Sequence, residues 1–506
     1  MKKFISKPAA LIKYMLLAVL AVSFIAACGY DDVNEEKAQF IADYYAEDGI
    51  AGSALIEAEK LIDYIKAGYK TPDGKKVVIL DVSSATPNKV VKGAVPAPQN
   101  NYFTESRSDG IAVIGNMVAS GKKMDTSLRE LGIDGNTLVV ITASSHTANT
   151  IHRVFWTFKY WGFSNKYVKV LNGANTYIST IENGIYMEEP VYRAIIPTTF
   201  SVKDLPAEKI DSYRASFGEV FDGAKNGIFK EDGSGSSILI PTMANTATVT
   251  NTNGQVIARV ANKSNALAGR IRGGSQLALD PSNPTYYSNE PKLYFNADGR
   301  FKKAEEILPL ITRYVGEGEK AEFLPDDKDK RIITHCGSGQ STAPHWFVLR
   351  EILGYTNVAI YDGSWNEWGN FATFYVKDTT KDYVTVTVEG QDNKTASNYL
   401  ISNPDTYTYT EKATGTDISV SLGKNSVFKN VLWDTSFYTD YLVLRTKSDN
   451  GVLSSASTLS SADNEYAGDG REINTADKNY QADKSNTSGG NSGGASSGGG
   501  SAPSGC

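Results

Sequence analysis

Cysteine and histidine are scarce in this chain. Of its 506 residues, three are cysteine and four are histidine. The cysteines lie far apart, at positions 28, 336 and 506, so the sequence excludes a framework of several disulfide bonds. No group of cysteine and histidine residues has the spacing of a zinc site, and we predict neither a metal nor another cofactor. Cys336 is the only cysteine in the interior of the chain.

Runs of basic residues are also missing. The formal net charge is −6, and residues 1–27 hold four lysines and no acidic residue, so the rest of the chain is more acidic still. A sequence without a basic stripe gives no indication of nucleic-acid binding. Hydrophobic residues make up 41% and charged residues 21%, which is ordinary for soluble globular proteins. The length predicts two or three domains.

The N-terminal apolar run is too short to span a bilayer comfortably. It reads YMLLAVLAVSFIAA at 14–27, follows four lysines, and has the flanks of a signal peptide. The run ends in IAAC and so resembles the lipobox of bacterial lipoproteins. The resemblance implies a signal peptide at 1–27 and a lipidated Cys28 that attaches the protein to the bacterial cell envelope, on its periplasmic or extracellular face. An ordinary secretory peptide with an incidental cysteine is the alternative.

Strands and helices alternate in two parts of the sequence. Apolar runs such as KKVVILD at 75–81 and RIITH at 331–335 are followed by stretches with helical periodicity. This alternation predicts an α/β protein with parallel sheets covered by helices on both faces. Aligning the two parts places Ser144 opposite Cys336, which indicates an internal duplication. Gly162 falls opposite Gly354, and the tripeptide LNG opposite YDG, at the same spacing.

These patterns predict where the domains begin and end. We expect a spacer at 28–52, a first parallel-sheet domain at 53–190 and a second one at 191–372 that contains Cys336. The segment TATVTNTNGQVIARV predicts a hairpin around its Asn-Gly turn, and so a hairpin insertion in the second domain at about 225–265.

The C-terminal part has a different composition. Strand-like runs predict a β-rich extension at 373–484. Residues 485–506 are rich in glycine and serine, predict a disordered tail, and end in Cys506. Because such a tail reaches far, Cys506 is hypothesised to act on Cys336 as a resolving or sulfur-accepting thiol. An attachment site or a thiol without a role are the alternatives.

Cys336 lies between an apolar strand and a helix, in THCGSGQSTAPHW. The C-terminal end of a parallel strand is where open α/β sheets bind ligands. Gly337 and Gly339 permit backbone conformations closed to other residues, and a helix beginning near Ser341, with Pro344 in its first turn, would point its positive end at the thiol. Both features stabilise an anion, so we expect a nucleophilic cysteine. An inert buried cysteine is the alternative.

The segment THCGSGQSTAPHWFVLREILGYTNVAIYDGSWNEW resembles the catalytic half of tandem rhodaneses, the thiosulfate and 3-mercaptopyruvate sulfurtransferases. VVILDVSS, LVVIT and VKVLNG resemble that family's non-catalytic half. The resemblance implies two rhodanese-like domains and a sulfurtransferase. By this resemblance, Cys336 is expected to take a sulfane sulfur from a thiosulfate- or mercaptopyruvate-like donor, hold it as a persulfide and pass it to a thiol- or cyanide-like acceptor. It also implies an active-site loop of N–H donors: Gly337, Ser338, Gly339, Gln340 and Ser341.

The same resemblance implies further site residues. Asp362, Ser364 and Trp365 match the turn that forms a wall of the family's site, although turn capping and packing are alternative roles for them. Candidate substrate-binding arginines, for which a solvated surface position is the alternative, are Arg270, Arg272 and Arg259.

The sequence also departs from the family. Thiosulfate-type loops carry an arginine where this chain has Gly337 or Ser341, and mercaptopyruvate-type loops end in threonine. Ser338 matches a serine that helps proton transfer in the mercaptopyruvate type. That type's His–Asp relay is incomplete, because Asp81 is present but the family's histidine aligns near Val90. The sequence therefore does not decide whether the sulfur donor is of the thiosulfate or the mercaptopyruvate type.

Other functions were weighed against sulfur transfer. A phosphatase is excluded because the motif HCxxxxxR requires an arginine where Thr342 stands. The architecture also resembles rhodanese-like lipoproteins of bacterial selenite and tellurite reduction operons, which implies a heavier chalcogen on Cys336. A binding or scaffold protein that works through its C-terminal strands and tail is the third alternative. A periplasmic or extracellular redox partner is a further expectation.

Overall fold

The computed structural model describes residues 33–483, with gaps at 86, 111–112, 192–194, 207, 231–233, 243–244, 251–255, 262–266, 272, 275–276, 279–290, 316–319, 324–327, 373–382, 389–393, 396–398, 402–405, 412–416, 422–438 and 445–468. Cys28, Arg272 and Cys506 lie outside the described residues, as do the predicted signal peptide and the Gly/Ser tail. Within the described ranges, each helix is too short or too polar to cross a membrane.

The first unit is a parallel sheet flanked by helices. Strands β1, β8, β7, β2 and β4 lie side by side in that order, and each neighbouring pair is parallel. The central strands β2 and β7 are continuous apolar runs, as expected for strands buried on both faces. The elements are α1 Val33–Tyr44, β1 Leu55–Ile56, α2 Ala58–Lys66, β2 Lys76–Asp81, β3 Val90–Val91, β4 Val95–Pro96, α3 Gln99–Tyr102, β5 Thr104–Arg107, β6 Ile114–Val118, α4 Gly121–Glu130, β7 Thr137–Thr142, α5 Asn149–Tyr160, β8 Val168–Leu171, α6 Ala174–Ile178 and β9 Met187–Glu188.

The predicted spacer at 28–52 is wrong for its described part. Helix α1 and the turn after it pack on the first unit, where Tyr44 is buried and stacks on Tyr167 at a centroid distance of 4.8 Å. Asp48 forms an ion pair with Lys159 at 2.8 Å. The reason is that the aromatic side chain of Tyr44 covers apolar surface that the first unit would otherwise expose.

The second unit repeats this arrangement. Its sheet has the order β10-β19-β18-β11, again parallel throughout, so these four strands occupy the places that β1, β8, β7 and β2 have in the first unit. A common origin of the two units stays a prediction. The elements are α7 Ile210–Tyr213, β10 Arg214–Ala215, α8 Phe217–Lys225, β11 Ser237–Pro241, β12 Asn245–Thr250, β13 Val256–Ala261, β14 Leu267–Ile271, β15 Leu277–Ala278, α9 Ala304–Ile307, β16 Thr312–Val315, β17 Lys320–Phe323, β18 Arg331–His335, α10 Ala343–Phe347, β19 Val358–Tyr361 and α11 Ser364–Ala372.

One predicted boundary in the second unit is wrong. Strand β11 lies inside the predicted insertion at 225–265, yet it belongs to the parallel sheet through its pairing with β18, so the insertion is shorter. Later in the second unit, the helix that begins at Ala304 ends at Ile307 and is followed by a 3₁₀ turn at Leu308–Leu310 and then by strand β16. Pro309 lacks an N–H group and therefore cannot donate the hydrogen bond that would continue the α-helix.

The insertion and the C-terminal extension share one sheet. The predicted hairpin is present as β12 and β13, which pair antiparallel. Strand β14 then pairs with β25, giving the order β12-β13-β14-β25-β22, and a second antiparallel sheet has the order β21-β20-β23-β24. The extension strands are β20 Tyr383–Val388, β21 Lys394–Thr395, β22 Tyr399–Ile401, β23 Thr406–Glu411, β24 Asp417–Ser421 and β25 Thr439–Leu444.

The end of the predicted β-rich extension is a helix, α12 Glu472–Ala482. The prediction of strands up to residue 484 is therefore wrong at this end. Ile473 is buried in the core that both units share, and Tyr480 packs against the same core. Helices α5 and α10 meet in that core through aromatic contacts, including Phe155 with Phe347 at 5.1 Å. The two units are thus joined by a common apolar interior.

Candidate active site

Cys336 follows strand β18 directly, at the C-terminal edge of the second sheet. Its side chain is a free thiol and the residue is 2% exposed. The backbone N–H of Ser338 donates to its Sγ at 3.5 Å. Ser338, Gln340 and Ser341 are partly exposed, whereas Gly337 and Gly339 are buried. The loop therefore has a buried nucleophile and a polar rim that solvent reaches.

The two glycines of the loop play different parts. Gly339 adopts the left-handed conformation, with φ +70°, as expected for a residue without Cβ. Gly337 is not in that region, so the expectation that both glycines supply a special conformation is wrong for Gly337. The helix begins at Ala343, two residues later than expected, with Pro344 in its first turn, and continues as a π-helix at Val348–Ile352.

Ser364, the first residue of α11, holds the loop through hydrogen bonds. Its Oγ accepts hydrogen bonds from the N–H groups of Cys336 at 3.2 Å and Gly339 at 3.0 Å, and donates to the carbonyl of Tyr361 at 2.7 Å. Ser364 itself has φ +53°, an unfavourable value for a residue with a Cβ. The N–H group of Gly339, which the resemblance assigned to an anion cradle, is thus directed at a hydroxyl.

Asp362 and Trp365 are internal rather than facing a substrate. Both are fully buried. The carboxylate of Asp362 accepts from the N–H of Val118 at 2.8 Å and forms ion pairs with Arg153 and, at 3.4 Å, Arg214. Burial alone would raise the pKa of Asp362, but the two guanidinium groups hold it below its ordinary value. The geometry therefore favours structural roles, which were the alternatives for both residues.

Sequence reasoning missed the two arginines around Asp362. Arg153 comes from helix α5 of the first unit and donates to the carbonyls of Asn116 at 3.0 Å and Gly339 at 3.4 Å. Its guanidinium lies 4.4 Å from the ring centre of Trp156. The available signal was an arginine within the largely apolar run IHRVFWTF, because a charge that is buried there needs a buried partner.

Arg214 begins the two-residue strand β10, which is too short to recognise from periodicity. It is fully buried and pairs with Asp109 of the first unit at 2.8 Å. Burial would lower its pKa, but Asp109 and Asp362 raise the pKa overall, so this side chain carries a permanent charge. Two ion pairs, Arg153 with Asp362 and Asp109 with Arg214, thus link the units beneath the Cys336 loop.

Glu367 adds a different kind of carboxyl group to this cluster. It is fully buried on α11. Burial and the nearby charge of Asp109 raise the pKa of Glu367 well above its ordinary value. Within the described ranges, no group of three or more metal-ligating side chains is present.

The remaining candidates lie elsewhere. Arg259 and Arg270 are on β13 and β14, and their side chains are outside the described part, as is all of Arg272. Asp81 belongs to the first unit, where it accepts from the amide of Asn175 at 2.9 Å. Val90 is buried, so the position aligned with the family's histidine is part of the core.

The histidines take part in packing. His335 is buried and its pKa falls to about 4 because of burial. The ring of His345 contacts the hydroxyl of Tyr294 at 2.7 Å. His152 lies between Phe301 and Phe347 and burial lowers its pKa to about 3, while His146 contacts Thr176 at 3.3 Å in the first unit.

Comparison with known proteins agrees with this geometry. A model of the family described as "Rhodanese-like domain" matches residues 273–371, which include β18, the Cys336 loop and the turn at Asp362. A Haloferax volcanii protein named "Putative thiosulfate sulfurtransferase" is 28% identical over 219 residues. "Sulfur carrier protein TtuD" of Thermus thermophilus is 44% identical over 75 residues. The chain contains a rhodanese-like domain at 273–371.

The rhodanese relatives are matched only in part. The alignments cover 43% of this chain and 60% of the Haloferax protein, and 15% of this chain and 23% of the Thermus protein. Among solved structures, Tum1 from Saccharomyces cerevisiae is 16% identical with a TM-score of 0.39, over 62% of this chain and 94% of Tum1. YnjE is 17% identical with a TM-score of 0.42, over 62% of this chain and 66% of YnjE.

Proposed function

We propose that this chain is a sulfurtransferase that carries a sulfane sulfur on Cys336. The observation that carries the proposal is the thiol at the end of β18, within the matched residues 273–371, with the N–H of Ser338 directed at its Sγ. An N–H donor at this place stabilises negative charge on sulfur, in the free thiolate and on the inner sulfur of a persulfide. The partly exposed rim of Ser338, Gln340 and Ser341 gives the side from which a donor approaches.

The reaction takes two displacement steps and needs no external oxidant or reductant. The thiolate of Cys336 attacks the sulfane sulfur of the donor, and the donor's remainder leaves with the bonding electron pair, as sulfite from thiosulfate or as pyruvate enolate from mercaptopyruvate. An acceptor thiolate or cyanide then attacks the outer sulfur of the persulfide. The S–S bond breaks, and its electron pair returns to the Sγ of Cys336.

The charges near the loop bear on the choice of donor. Arg153 and Arg214 are the two guanidinium groups described beneath the loop, and both are paired with carboxylates. Neither is therefore placed to bind a dianion such as thiosulfate directly. Thiosulfate and mercaptopyruvate both remain donors to be tested.

The test compares Cys336→Ser with the wild-type chain. We expect thiocyanate from cyanide plus donor only with the wild type, and a mass gain of one sulfur on the peptide that contains Cys336. Ser144→Ala is the matched control, because Ser144 occupies the aligned position in the first unit, where its N–H donates to Ser83. A wild-type rate equal to that of Cys336→Ser contradicts the proposal, as does an equal loss in Ser144→Ala.

The same mass measurement separates sulfur from a heavier chalcogen. The family resemblance to selenite and tellurite operon lipoproteins keeps selenium or tellurium transfer as an alternative substrate of Cys336. Incubation with selenite and a thiol tests it. A selenium adduct on Cys336, without a sulfur adduct from either sulfur donor, favours the alternative.

We also propose attachment to the bacterial cell envelope through a lipidated Cys28, supported by the IAAC sequence that precedes the spacer. Metabolic labelling with a fatty acid is expected to mark the wild type and not Cys28→Ala.

We propose a role for Cys506 as a resolving or sulfur-accepting thiol only because the Gly/Ser-rich tail that carries it is long enough to reach Cys336. Non-reducing peptide mapping after oxidation is expected to yield a Cys336–Cys506 disulfide, and its absence contradicts this role.

A further inference from the structure

Helix α12 is anchored to the first unit by a buried carboxylate. Asp477 accepts hydrogen bonds from both terminal nitrogens of Arg107, at 2.6 and 2.7 Å, and from the hydroxyl of Tyr160 at 2.6 Å. The side chain of Asp477 is 2% exposed and that of Arg107 11%. A bidentate pair of this kind fixes orientation as well as position.

The same helix reaches the second unit through Asn474. Its Oδ1 accepts from the guanidinium of Arg214 at 2.6 Å, and its amide nitrogen donates to the carbonyl of Arg214 at 3.3 Å. One residue earlier, the N–H of Ile473 donates to Asp109 at 3.0 Å. Both members of the Asp109–Arg214 ion pair are therefore held by the helix.

From Arg214, contacts continue to the active-site loop. The Nε of Arg214 lies 3.4 Å from Asp362, whose other carboxylate oxygen pairs with Arg153. Arg153 in turn donates to the carbonyl of Gly339 at 3.4 Å. A continuous set of buried polar contacts thus runs from Asn474 to the loop that presents Cys336.

A groove lined by residues of both units lies where the predicted duplication places the counterpart of the α12 site, and among the described residues no helix fills it. Helix α12 contacts Arg107, Tyr160 and Arg214. The Asp-Gly turns at 109–110 and 298–299 make Asn296 the counterpart of Arg107. The alignment of the two parts relates Ile352 to Tyr160, and strand order relates Leu55 to Arg214. These three counterparts line a groove of about 980 Å³. Because this fold tolerates an open groove, covering the groove beside Cys336 is an added feature of the catalytic side.

Glycines are present where the terminal segment approaches closely. A Cβ on Gly121 would overlap the ring of Tyr480, and one on Gly218 would overlap the carbonyl of Asp469. A Cβ on Gly110 would lie 2.5 Å from the carboxylate of Glu472. The surface of both units is therefore fitted to this segment at three separate points.

We propose that helix α12 is a positioning element for the Cys336 loop and that Asn474 is the positioning residue that connects them. Only the expected effect of an Asn474 substitution on the rate of sulfur transfer rests on the proposed sulfurtransferase function. Without Asn474, the guanidinium of Arg214 loses an acceptor, and Asp362 and Arg153 lose the fixed partner that sets where Gly339 lies.

The experiment compares Asn474→Ala with Gln481→Ala in the full-length protein. Gln481 is on the same helix and donates to the carbonyls of Trp161 and Val202 at 3.2 and 3.0 Å, away from Arg214. For Asn474→Ala we expect kcat for sulfur transfer to fall about tenfold with KM nearly unchanged, since a misplaced catalytic group slows the chemical step. For Gln481→Ala we expect a similar change in the thermal unfolding midpoint but wild-type kcat.

Hydrogen–deuterium exchange at 337–339 provides a readout that does not depend on sulfur transfer. Faster exchange there in Asn474→Ala, but not in Gln481→Ala, supports the inference even if the wild type transfers no sulfur, in which case only the proposed function fails. Equal effects of the two variants on kcat and on exchange overturn it. If Asn474→Ala does not fold, Asn474→Leu, which keeps the side-chain volume but has no acceptor for Arg214, replaces it. Its exchange at 337–339 is then expected to exceed that of Gln481→Ala, because Arg214 loses the acceptor oxygen, and equal exchange again overturns the inference.

Discussion

Arg153 of the first unit and Asp362 of the second form an ion pair in which neither side chain is exposed to solvent. Asp362 is the last residue before the glycine of the YDG turn, and Arg153 also contacts the loop at Gly339. The pair therefore joins the two units directly beneath the candidate nucleophile. Its burial makes it sensitive to the loss of either partner.

Asp362→Asn is expected to destabilise the protein by about 3–5 kcal/mol, because it leaves the positive charge of Arg153 uncompensated in the interior, whereas Arg214 keeps Asp109. Chemical denaturation followed by circular dichroism measures this change. Asp222→Asn is the control, since Asp222 pairs with Arg471 at 46% and 39% side-chain exposure. That variant is expected to change the free energy of unfolding by less than about 1 kcal/mol. A loss of the same size in both variants contradicts the prediction.

Ser364→Ala removes the acceptor shared by the N–H groups of Cys336 and Gly339. Two buried donors without a partner are expected to cost about 1–3 kcal/mol of stability each, and the freed loop is expected to lower kcat for sulfur transfer. Ser127→Ala serves as the control, because Ser127 is also buried but donates to Tyr102 in the first unit at 2.7 Å. The prediction is wrong if kcat is unchanged in Ser364→Ala or falls equally in Ser127→Ala.

Gly339→Ala tests whether the loop conformation needs glycine for two reasons. A Cβ there would lie 2.9 Å from both the guanidinium of Arg153 and the carbonyl of Asp362, in addition to the penalty of φ +70°. Gly354 has φ +75° with nothing within 4 Å, so Gly354→Ala measures the conformational penalty alone, about 1–2 kcal/mol. We expect Gly339→Ala to be clearly less stable than Gly354→Ala and to lose sulfur transfer. Equal unfolding midpoints contradict this.

Because His152 is buried and neutral, the protein is expected to lose stability in acid. The unfolded chain takes up a proton near pH 6.5, whereas burial keeps the native His152 neutral until about pH 3, and nearby His345 acts in the same direction. The stability it contributes is therefore present above pH 6.5 and falls between pH 6.5 and 3, by about 1.4 kcal/mol per pH unit. His335, with a pKa of about 4, adds to this slope.

His152→Leu is expected to flatten the pH dependence of unfolding below pH 6.5. Among the described residues neither ring nitrogen of His152 has a hydrogen-bond partner, so the substitution is expected to cost little at pH 7. Urea denaturation between pH 4 and 7 measures both effects. An unchanged slope shows that His152 is not the responsible group.

The sequence alone was sufficient for the parallel-sheet units and for the place of Cys336. Apolar runs such as β2, β7 and β18 are read directly from hydrophobic pattern, because strands buried on both faces carry few polar residues. The end of β18 and the glycines after it identify the loop for the same local reasons. The sequence pattern did not identify Arg153 and Arg214. It also did not decide between substrate contact and a structural role for Asp362 and Trp365, and their burial favours the structural role.

Tertiary structure decided which charges meet and what covers the site. Asp109, Arg153, Arg214 and Asn474 come from four distant segments, and the sequence around each residue does not show which partner it meets. Helix α12 has no pattern that links it to Cys336. Local sequence fixes local geometry, whereas the pairing of buried charges depends on long-range packing that brings them together out of water.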